Sequence, residues 1–132
     1  MRVAHAMRTD LRTIPSTAMV SDAVAALVEA RISSLPVMDG QRPIGVVSQQ
    51  DILRAAMESD QEGRPRWFAE RTPVIAIMSP WPPAVAADTP VAEAARTMLY
   101  LDLKRVFVVD DGDLVGVLSQ ADIADAVAVA RL

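Results

Sequence analysis

Hydrophobic residues recur with helical spacing in two stretches of the chain. The first stretch has apolar residues at positions i, i+3, i+4, i+7 and i+8, namely Val20, Ala23, Val24, Leu27 and Val28. The second stretch repeats this spacing at Val91, Ala94, Ala95, Met98 and Leu99. Such a period places the apolar side chains on one face of a helix. The pattern therefore predicts two amphipathic helices.

Each predicted helix is followed by two short apolar runs, which are typical of strands. The runs are residues 35–38 and 44–48 in the first half and residues 106–109 and 115–119 in the second. Turn-forming residues separate them at 39–43 and 110–114, which predicts two β-hairpins. With a strand before each first helix and a helix after each hairpin, each half is predicted to have the order β-α-β-β-α. The closing helix of the second half is expected to include Ala130.

The two halves are copies of each other. When residues 78–123 are placed under residues 7–52, at an offset of 71 without a gap, eleven of the 46 positions are identical. About three matches are expected between unrelated stretches of ordinary composition. The matched pairs are Met7/Met78, Val20/Val91, Ala23/Ala94, Val37/Val108, Asp39/Asp110, Gly45/Gly116, Val46/Val117, Ser48/Ser119, Gln49/Gln120, Asp51/Asp122 and Ile52/Ile123. We therefore predict a duplicated module, with repeat 1 at residues 1–57, a linker at 58–72 and repeat 2 at 73–132.

Composition narrows the class of protein. The 132 residues are 52% hydrophobic but only 4% aromatic, so we expect one compact domain, or two half-domains, with an aliphatic core. A net charge of −4 argues against a nucleic-acid or anionic membrane surface. The lack of cysteine excludes disulfides and thiolate metal sites and fits a reducing compartment. We find no signal peptide or membrane span and expect a cytoplasmic protein.

The segments that end the hairpins carry the most informative motifs. Gly-Val-Val-Ser-Gln-Gln-Asp-Ile at 45–52 recurs as Gly-Val-Leu-Ser-Gln-Ala-Asp-Ile at 116–123, and Leu-Pro-Val-Met-Asp and Val-Phe-Val-Val-Asp precede them. In a β-α-β-β-α unit, these motifs resemble the CBS domain, a family named for cystathionine β-synthase whose members occur as tandem pairs. The resemblance covers nearly the whole chain, including Met7-Arg8-Thr9 and Met78-Ser79-Pro80 at the usual start of each repeat. It implies an α/β (α+β) fold in which the two units form a pseudo-two-fold pair.

The resemblance also implies a function. Pairs of this family bind adenosine-containing ligands such as AMP, ADP, ATP or S-adenosylmethionine in clefts between the repeats, and they regulate an attached or partner protein. With no attached domain in the sequence, we expect this pair to act through a separate, unidentified partner protein or through its own homodimer.

Ser48 to Asp51 and Ser119 to Asp122 have two interpretations. As capping boxes, the serine and the aspartate of each pair would satisfy backbone amides at the start of a helix. Alternatively, free amides and the positive end of the helix dipole would receive an anionic ligand, and the aspartate would accept both hydroxyls of a ribose.

Two further pairs of residues are candidates for ligand binding. Gly45 and Gly116 weaken a strand unless a helix or a ligand approaches its backbone closely, and the resemblance favours the ligand. Lys104 and Arg105 stand where the first copy has serines, at residues 33–34. Basic residues at this point either complement a helix dipole or, as the resemblance implies, reach ligand phosphates.

Other functions have weaker support. Asp110, Asp111 and Asp113 lack the ligand spacing of a calcium loop and are typical of a hairpin turn, and we expect His5, the single histidine, to be structural or exposed. We predict no catalytic residue, no metal and no catalytic cofactor. Catalysis of group transfer needs an activated nucleophile or base within a cluster of functional residues, and the sequence supplies only dispersed carboxylates. A dimerisation module whose clefts bind no ligand remains the alternative to an adenosine sensor.

Overall fold

Helices and strands follow the predicted order in both halves of the chain. A computed structural model describes residues 1–59 and 65–128, so part of the predicted linker and Ala130 lie outside the described residues. The elements in chain order are α1 (Val3–Ala6), β1 (Ile14–Pro15), α2 (Val20–Ala30), β2 (Ser34–Asp39), β3 (Arg42–Ser48), α3 (Gln49–Glu58), α4 (Pro65–Arg71), a 3₁₀ turn (Val74–Ala76), β4 (Ala84–Ala86), α5 (Val91–Leu101), β5 (Arg105–Asp110), β6 (Asp113–Ser119) and α6 (Gln120–Ala128). The predicted mixture of α and β structure is confirmed.

Two sheets of three strands share one topology. In the first sheet β1 runs parallel to β2, and β2 runs antiparallel to β3. In the second sheet β4 runs parallel to β5, and β5 runs antiparallel to β6. Both predicted hairpins are present, and their turns contain residues with positive φ: Gly40 at 63°, and Asp111 and Gly112 at 55° and 84°. Glycine and aspartate adopt this conformation more readily than most residues, which explains the turn signals.

The chain divides into two compact units that differ from its two sequence halves. The continuous unit comprises Arg12–Pro82 and contains the first sheet. The discontinuous unit comprises Met1–Leu11 and Pro83–Leu132 and contains the second sheet. Each unit therefore contains most of one sequence copy together with the first residues of the other copy. We call Met1–Leu11 and residues 73–82 the two lead segments.

Each unit has its own aliphatic core. Leu35, Val37, Val47 and Val74 are fully buried in the continuous unit, and the core of the discontinuous unit consists of Val3, Val85, Ala94, Met98, Val106, Val108 and Leu118. Both cores include a lead-segment residue, Val74 in one and Val3 in the other.

The central residues of both predicted apolar helix faces are buried, as expected, but each predicted face extends beyond the part that is buried. Val20, Ala23 and Leu27 of α2 are buried, as are the equivalent residues of α5. The last predicted position of each face is exposed, with Val28 at 72% and Leu99 at 76%.

A pair of backbone hydrogen bonds attaches each lead segment to a sheet. In the discontinuous unit the N–H of Arg8 donates to the carbonyl of Val117, and the N–H of Val117 donates to the carbonyl of Arg8, both at 2.9 Å. In the continuous unit Ser79 and Val46 exchange the same two bonds at 2.8 and 2.9 Å. Residues 8 and 79 are equivalent under the offset of 71, so the lead segment is attached in the same way in both units.

A glycine lies directly beneath each of these connections. A Cβ atom on Gly116 would lie 2.5 Å from Sδ of Met7 and 2.9 Å from the carbonyl oxygen of the next residue. On Gly45 it would lie 2.7 Å from Sδ of Met78 and 2.7 Å from the carbonyl oxygen that follows. Close approach of the lead segment is therefore a sufficient reason for both glycines, and their contact with a ligand stays a prediction.

We predict that Gly116→Ala destabilises the protein by about 1–3 kcal/mol, the usual cost of overpacking. The methionine sulfur can move away from a new Cβ, but the neighbouring carbonyl oxygen is held by the N–H of Val117. Chemical denaturation measures the loss, and Gly45→Ala should give a comparable value in the other unit. Stability equal to wild type in both variants would contradict the close approach.

Candidate functional site

Ser48 and Asp51 form a capping box at the start of α3. The hydroxyl of Ser48 accepts the N–H of Asp51 at 3.0 Å, and Oδ2 of Asp51 accepts the N–H of Ser48 at 3.0 Å. This reciprocal pair satisfies two amides that the helix itself cannot, so the capping interpretation is confirmed here. Asp51 is only 5% exposed, although it is an ionisable residue.

The second carboxylate oxygen of Asp51 faces the lead segment. Oδ1 accepts the hydroxyl of Ser79 at 2.7 Å, and Nη1 of Arg54 lies 3.7 Å from the same oxygen. We call Ser48, Asp51, Arg54 and Ser79 the Asp51 site. One oxygen of the aspartate holds the helix start, while the other binds polar side chains that the cap does not require.

Asp122 has the same division of its two oxygens in the discontinuous unit. Oδ2 accepts the N–H of Ser119 at 2.9 Å, and the hydroxyl of Ser119 accepts the N–H of Asp122 at 3.0 Å. Oδ1 accepts Nε–H of Arg8 at 3.2 Å. The side chain of Asp122 is 11% exposed and that of Arg8 is 67% exposed. These three residues form the Asp122 site, where a cation replaces the hydroxyl of the Asp51 site.

Three backbone amides at each helix start already have protein acceptors. Besides the cap bonds, Gln49 N–H donates to the carbonyl of Ser33 and Gln120 N–H donates to the carbonyl of Lys104, both at 2.9 Å. These three amides are therefore not free to receive an anion. The expectation that an anionic ligand binds at the helix start stays a prediction.

Arg105 is a cationic residue near the start of α6. It pairs with Ser119 across β5 and β6, which puts it beside the start of α6. Its guanidinium carbon lies 5.1 Å from the centre of the Phe107 ring, and partial burial lowers its pKa from the ordinary value. An arginine nevertheless stays charged at neutral pH. Lys104 is exposed, and the residue equivalent to Arg105 in the continuous unit is Ser34.

A surface cavity of about 360 Å³ lies elsewhere in the discontinuous unit. Its polar lining residues are Arg2, His5, Asp88, Asp110 and Asp111, and no predicted ligand residue lines it. His5 is exposed. In the part of the chain that the structure describes, no three His, Asp or Glu side chains are grouped to hold a metal, and no helix is long and apolar enough to cross a membrane.

Sequence analysis did not identify the side chains that contact the two aspartates. Arg8 and Ser79 each follow a matched methionine, so the alignment of the copies pairs them with each other. It does not indicate that residue 8 lies beside residue 122, because that contact depends on where the lead segment packs.

Comparison with known proteins identifies the same two repeats. The family model of the CBS domain matches residues 3–58 and 74–129. CBSX2, a chloroplastic CBS domain-containing protein of Arabidopsis thaliana, is 30% identical over 143 residues, which cover 90% of this chain and 59% of CBSX2. The chain thus spans about three fifths of the length of the first curated relatives it matches.

Solved structures have the same fold. The crystal structure of CBSX2 in complex with AMP has a TM-score of 0.78 and 30% identity, covering 99% of this chain and 98% of that one. AcuB from Vibrio cholerae has a TM-score of 0.79 and 26% identity, covering 97% and 90%. The domain pair of protein MJ0100, in complex with 5′-methylthioadenosine and S-adenosyl-L-methionine, has a TM-score of 0.72 over 97% and 96%. At 23% identity, it shows a likeness of fold alone.

We predict that Ser79→Ala destabilises the protein more than Arg8→Ala does. Without the hydroxyl, the buried Oδ1 of Asp51 keeps only the more distant Arg54, which should cost about 1–3 kcal/mol. The exposed ion pair of Arg8 contributes about 0–1 kcal/mol. Urea denaturation of both variants measures the difference, with Ser79→Thr as a control that keeps the hydroxyl. Equal losses would show that the two contacts have the same weight.

Proposed function

Because this chain belongs to the CBS domain family, we propose that it is a regulatory module that binds an adenosine-containing ligand and signals to a partner protein. The observation that carries this proposal is that the two carboxylate oxygens of Asp51, and likewise of Asp122, have different partners. In both, Oδ2 completes a helix cap, and Oδ1 binds a side chain from the lead segment. A second oxygen that is positioned but not needed for the cap is available for exchange with a ligand.

The proposed ligand contact is the ribose. An ionised carboxylate only accepts hydrogen bonds, so Oδ1 of Asp51 or Asp122 suits the two hydroxyls of a ribose. Ser48 and Ser119 keep each carboxylate in its orientation through the caps. The crystallised complex of CBSX2 with AMP, a relative of 30% identity, supports an adenosine ligand. AMP, ADP, ATP and S-adenosylmethionine all carry the required ribose.

Phosphate recognition is proposed for the discontinuous unit. Arg105 offers two donors in a fork that matches phosphate oxygens, and Lys104 adds a second positive charge. In the continuous unit, Ser33 and Ser34 offer hydroxyls only. Gly45 and Gly116 contribute by letting the lead segment lie close to the aspartates, and they leave their strands without side chains toward it.

Regulation, rather than catalysis, is the role that these contacts fit. They are reversible hydrogen bonds and ion pairs, and we propose no catalytic residue and no catalytic cofactor. The regulated protein is a separate partner of this chain in the proposal, and the place of action is the cytoplasm.

A ligand-free dimerisation module is the second candidate. It is favoured by apolar side chains exposed on the helices, namely Leu53 at 64%, Met57 at 78%, Leu99 at 76% and Tyr100 at 89%. Exposed apolar patches mark interaction surfaces, and a homodimer through these helix faces would cover them. A homodimer is compatible with both candidates, so ligand binding decides between them.

Thermal unfolding with AMP, ADP, ATP, NAD and S-adenosylmethionine tests the ligand. A ligand present at 100 times its Kd stabilises the native state by about 2.7 kcal/mol and raises Tm. Asp51→Asn and Asp122→Asn should reduce this rise but change the Tm of the free protein little, because Asn keeps one acceptor for the cap and, at position 51, its amide can donate to the Ser79 hydroxyl. Glu70→Gln, which removes an exposed carboxylate from α4 outside both sites, is the control. If no ligand raises Tm while sedimentation shows a dimer, the second candidate is correct.

We expect Arg105→Ala to weaken AMP about 10- to 100-fold and to affect adenosine far less, since a hydrogen bond to a charged group contributes roughly 1.5–3 kcal/mol. The difference should shrink as salt concentration rises. Calorimetric titration measures both affinities, and Arg96→Ala, which removes an exposed positive charge from α5, is the control. A similar loss for adenosine and AMP would mean that Arg105 does not contact phosphate.

A further inference from the structure

The side chain on Oδ1 of each aspartate differs between the units, although the backbone around it does not. Ser79 and Arg8 are both fixed by two hydrogen bonds to a strand and both follow a methionine packed on a glycine. One supplies a neutral hydroxyl at 2.7 Å to Asp51, and the other supplies a guanidinium at 3.2 Å to Asp122. The internal repeat thus provides a comparison in which mainly the side chain has changed.

A hydroxyl and a guanidinium respond differently to an arriving ribose. The Ser79 hydroxyl can rotate, donate and accept, so it can share Oδ1 of Asp51 with ribose hydroxyls and bond to them as well. The Arg8 guanidinium only donates, as the ribose hydroxyls must also do to bind the carboxylate of Asp122. Oδ1 accepts two hydrogen bonds, so with Arg8 in place it can take only one of the two ribose hydroxyls, and the guanidinium cannot accept the other. The Ser79 hydroxyl also occupies one acceptor position, but its own oxygen can accept the second ribose hydroxyl.

The surrounding charges strengthen this contrast. In the Asp51 site the cation is Arg54, whose Nη1 lies 3.7 Å from Oδ1, and the position equivalent to Arg54 in the second copy is the acid Asp125. When Arg8 leaves Asp122, the carboxylate keeps its charge next to a helix with another acid. A phosphate arriving with the ribose would then lie near two acids, and the displaced Arg8 would add its charge to that of Arg105 in binding it.

We propose that Arg8 is the selectivity residue of the Asp122 site: it blocks Oδ1 against uncharged adenosine and releases it to a ligand whose phosphate takes the guanidinium. This inference rests on the proposed function. Because 67% of the Arg8 side chain is exposed and its backbone is fixed, the guanidinium can swing to a phosphate without disturbing the sheet. The equivalent Asp51 site, with its serine, should discriminate less between the two ligands.

Arg8→Ser, which gives the Asp122 site the residue of the other unit, tests the proposal. Titration calorimetry of the full chain in an Asp51→Asn background isolates the Asp122 site. Adenosine affinity should rise about three- to fivefold, the size of an exposed ion pair. AMP affinity should fall about fivefold or more, because a charge-assisted phosphate contact is lost. The two changes have opposite signs, which a general effect on stability cannot produce.

Two controls and three outcomes complete the experiment. Arg12→Ser removes the same charge from a surface pair with Glu29 and should change neither affinity, and Arg8→Lys should retain part of the preference for AMP. Equal changes for adenosine and AMP in Arg8→Ser, or none, would overturn the role of Arg8 alone. Binding by wild type that vanishes entirely in the Asp51→Asn background would also overturn it. If wild type binds neither ligand, the proposed function itself fails, and this inference fails with it.

Discussion

In each of the two units, a pair of backbone hydrogen bonds beside a glycine attaches the lead segment to the sheet. The bonds between Arg8 and Val117 join the first residues of the chain to its last strand, and the bonds between Ser79 and Val46 do the same in the other unit. They form only because Gly116 and Gly45 leave room for the methionine and carbonyl oxygen of the lead segment. The composition of the units and the environment of both aspartates follow from this contact.

In the proposed function, folding and ligand binding use the same side chains. Asp51 and Asp122 each cap a helix with one oxygen, which fixes the carboxylate at a defined angle. The second oxygen is then held ready at no further cost in conformational entropy, since the side chain is already ordered. The capping and ligand interpretations of the Ser-x-x-Asp motifs are thus compatible, because they concern different oxygens of one group.

Much of the fold could be predicted because its signals are local. Helix period, alternation in the strands, Gly and Asp at the hairpin turns, and the Ser-x-x-Asp caps all lie within about ten residues of the structures they specify. The Arg8–Asp122 contact joins residues 114 positions apart, and no local pattern carries that information. The packing of the lead segment against Gly116 could not be predicted for the same reason. A glycine in a strand indicates that something approaches the backbone closely, but the sequence does not show which segment it is. The exposure of Val28 and Leu99, at the ends of the helix faces, could not be predicted either. Periodicity shows which residues share a face, but it does not show how much of that face a neighbouring element covers.

The exchange of lead segments imposes an order on biosynthesis. All residues of the continuous unit, Arg12–Pro82, have been translated before the second sheet exists, so its contacts can form on the nascent chain. Met1–Leu11 must wait, because the partners of Val3 and Arg8, at Thr89 and Val117, are translated only after the whole continuous unit. Closing a loop of this length is slow compared with local pairing. The Asp51 site can therefore be complete while the Asp122 site is still half made, and Met1–Leu11, although translated before the continuous unit, reach their native contacts after it.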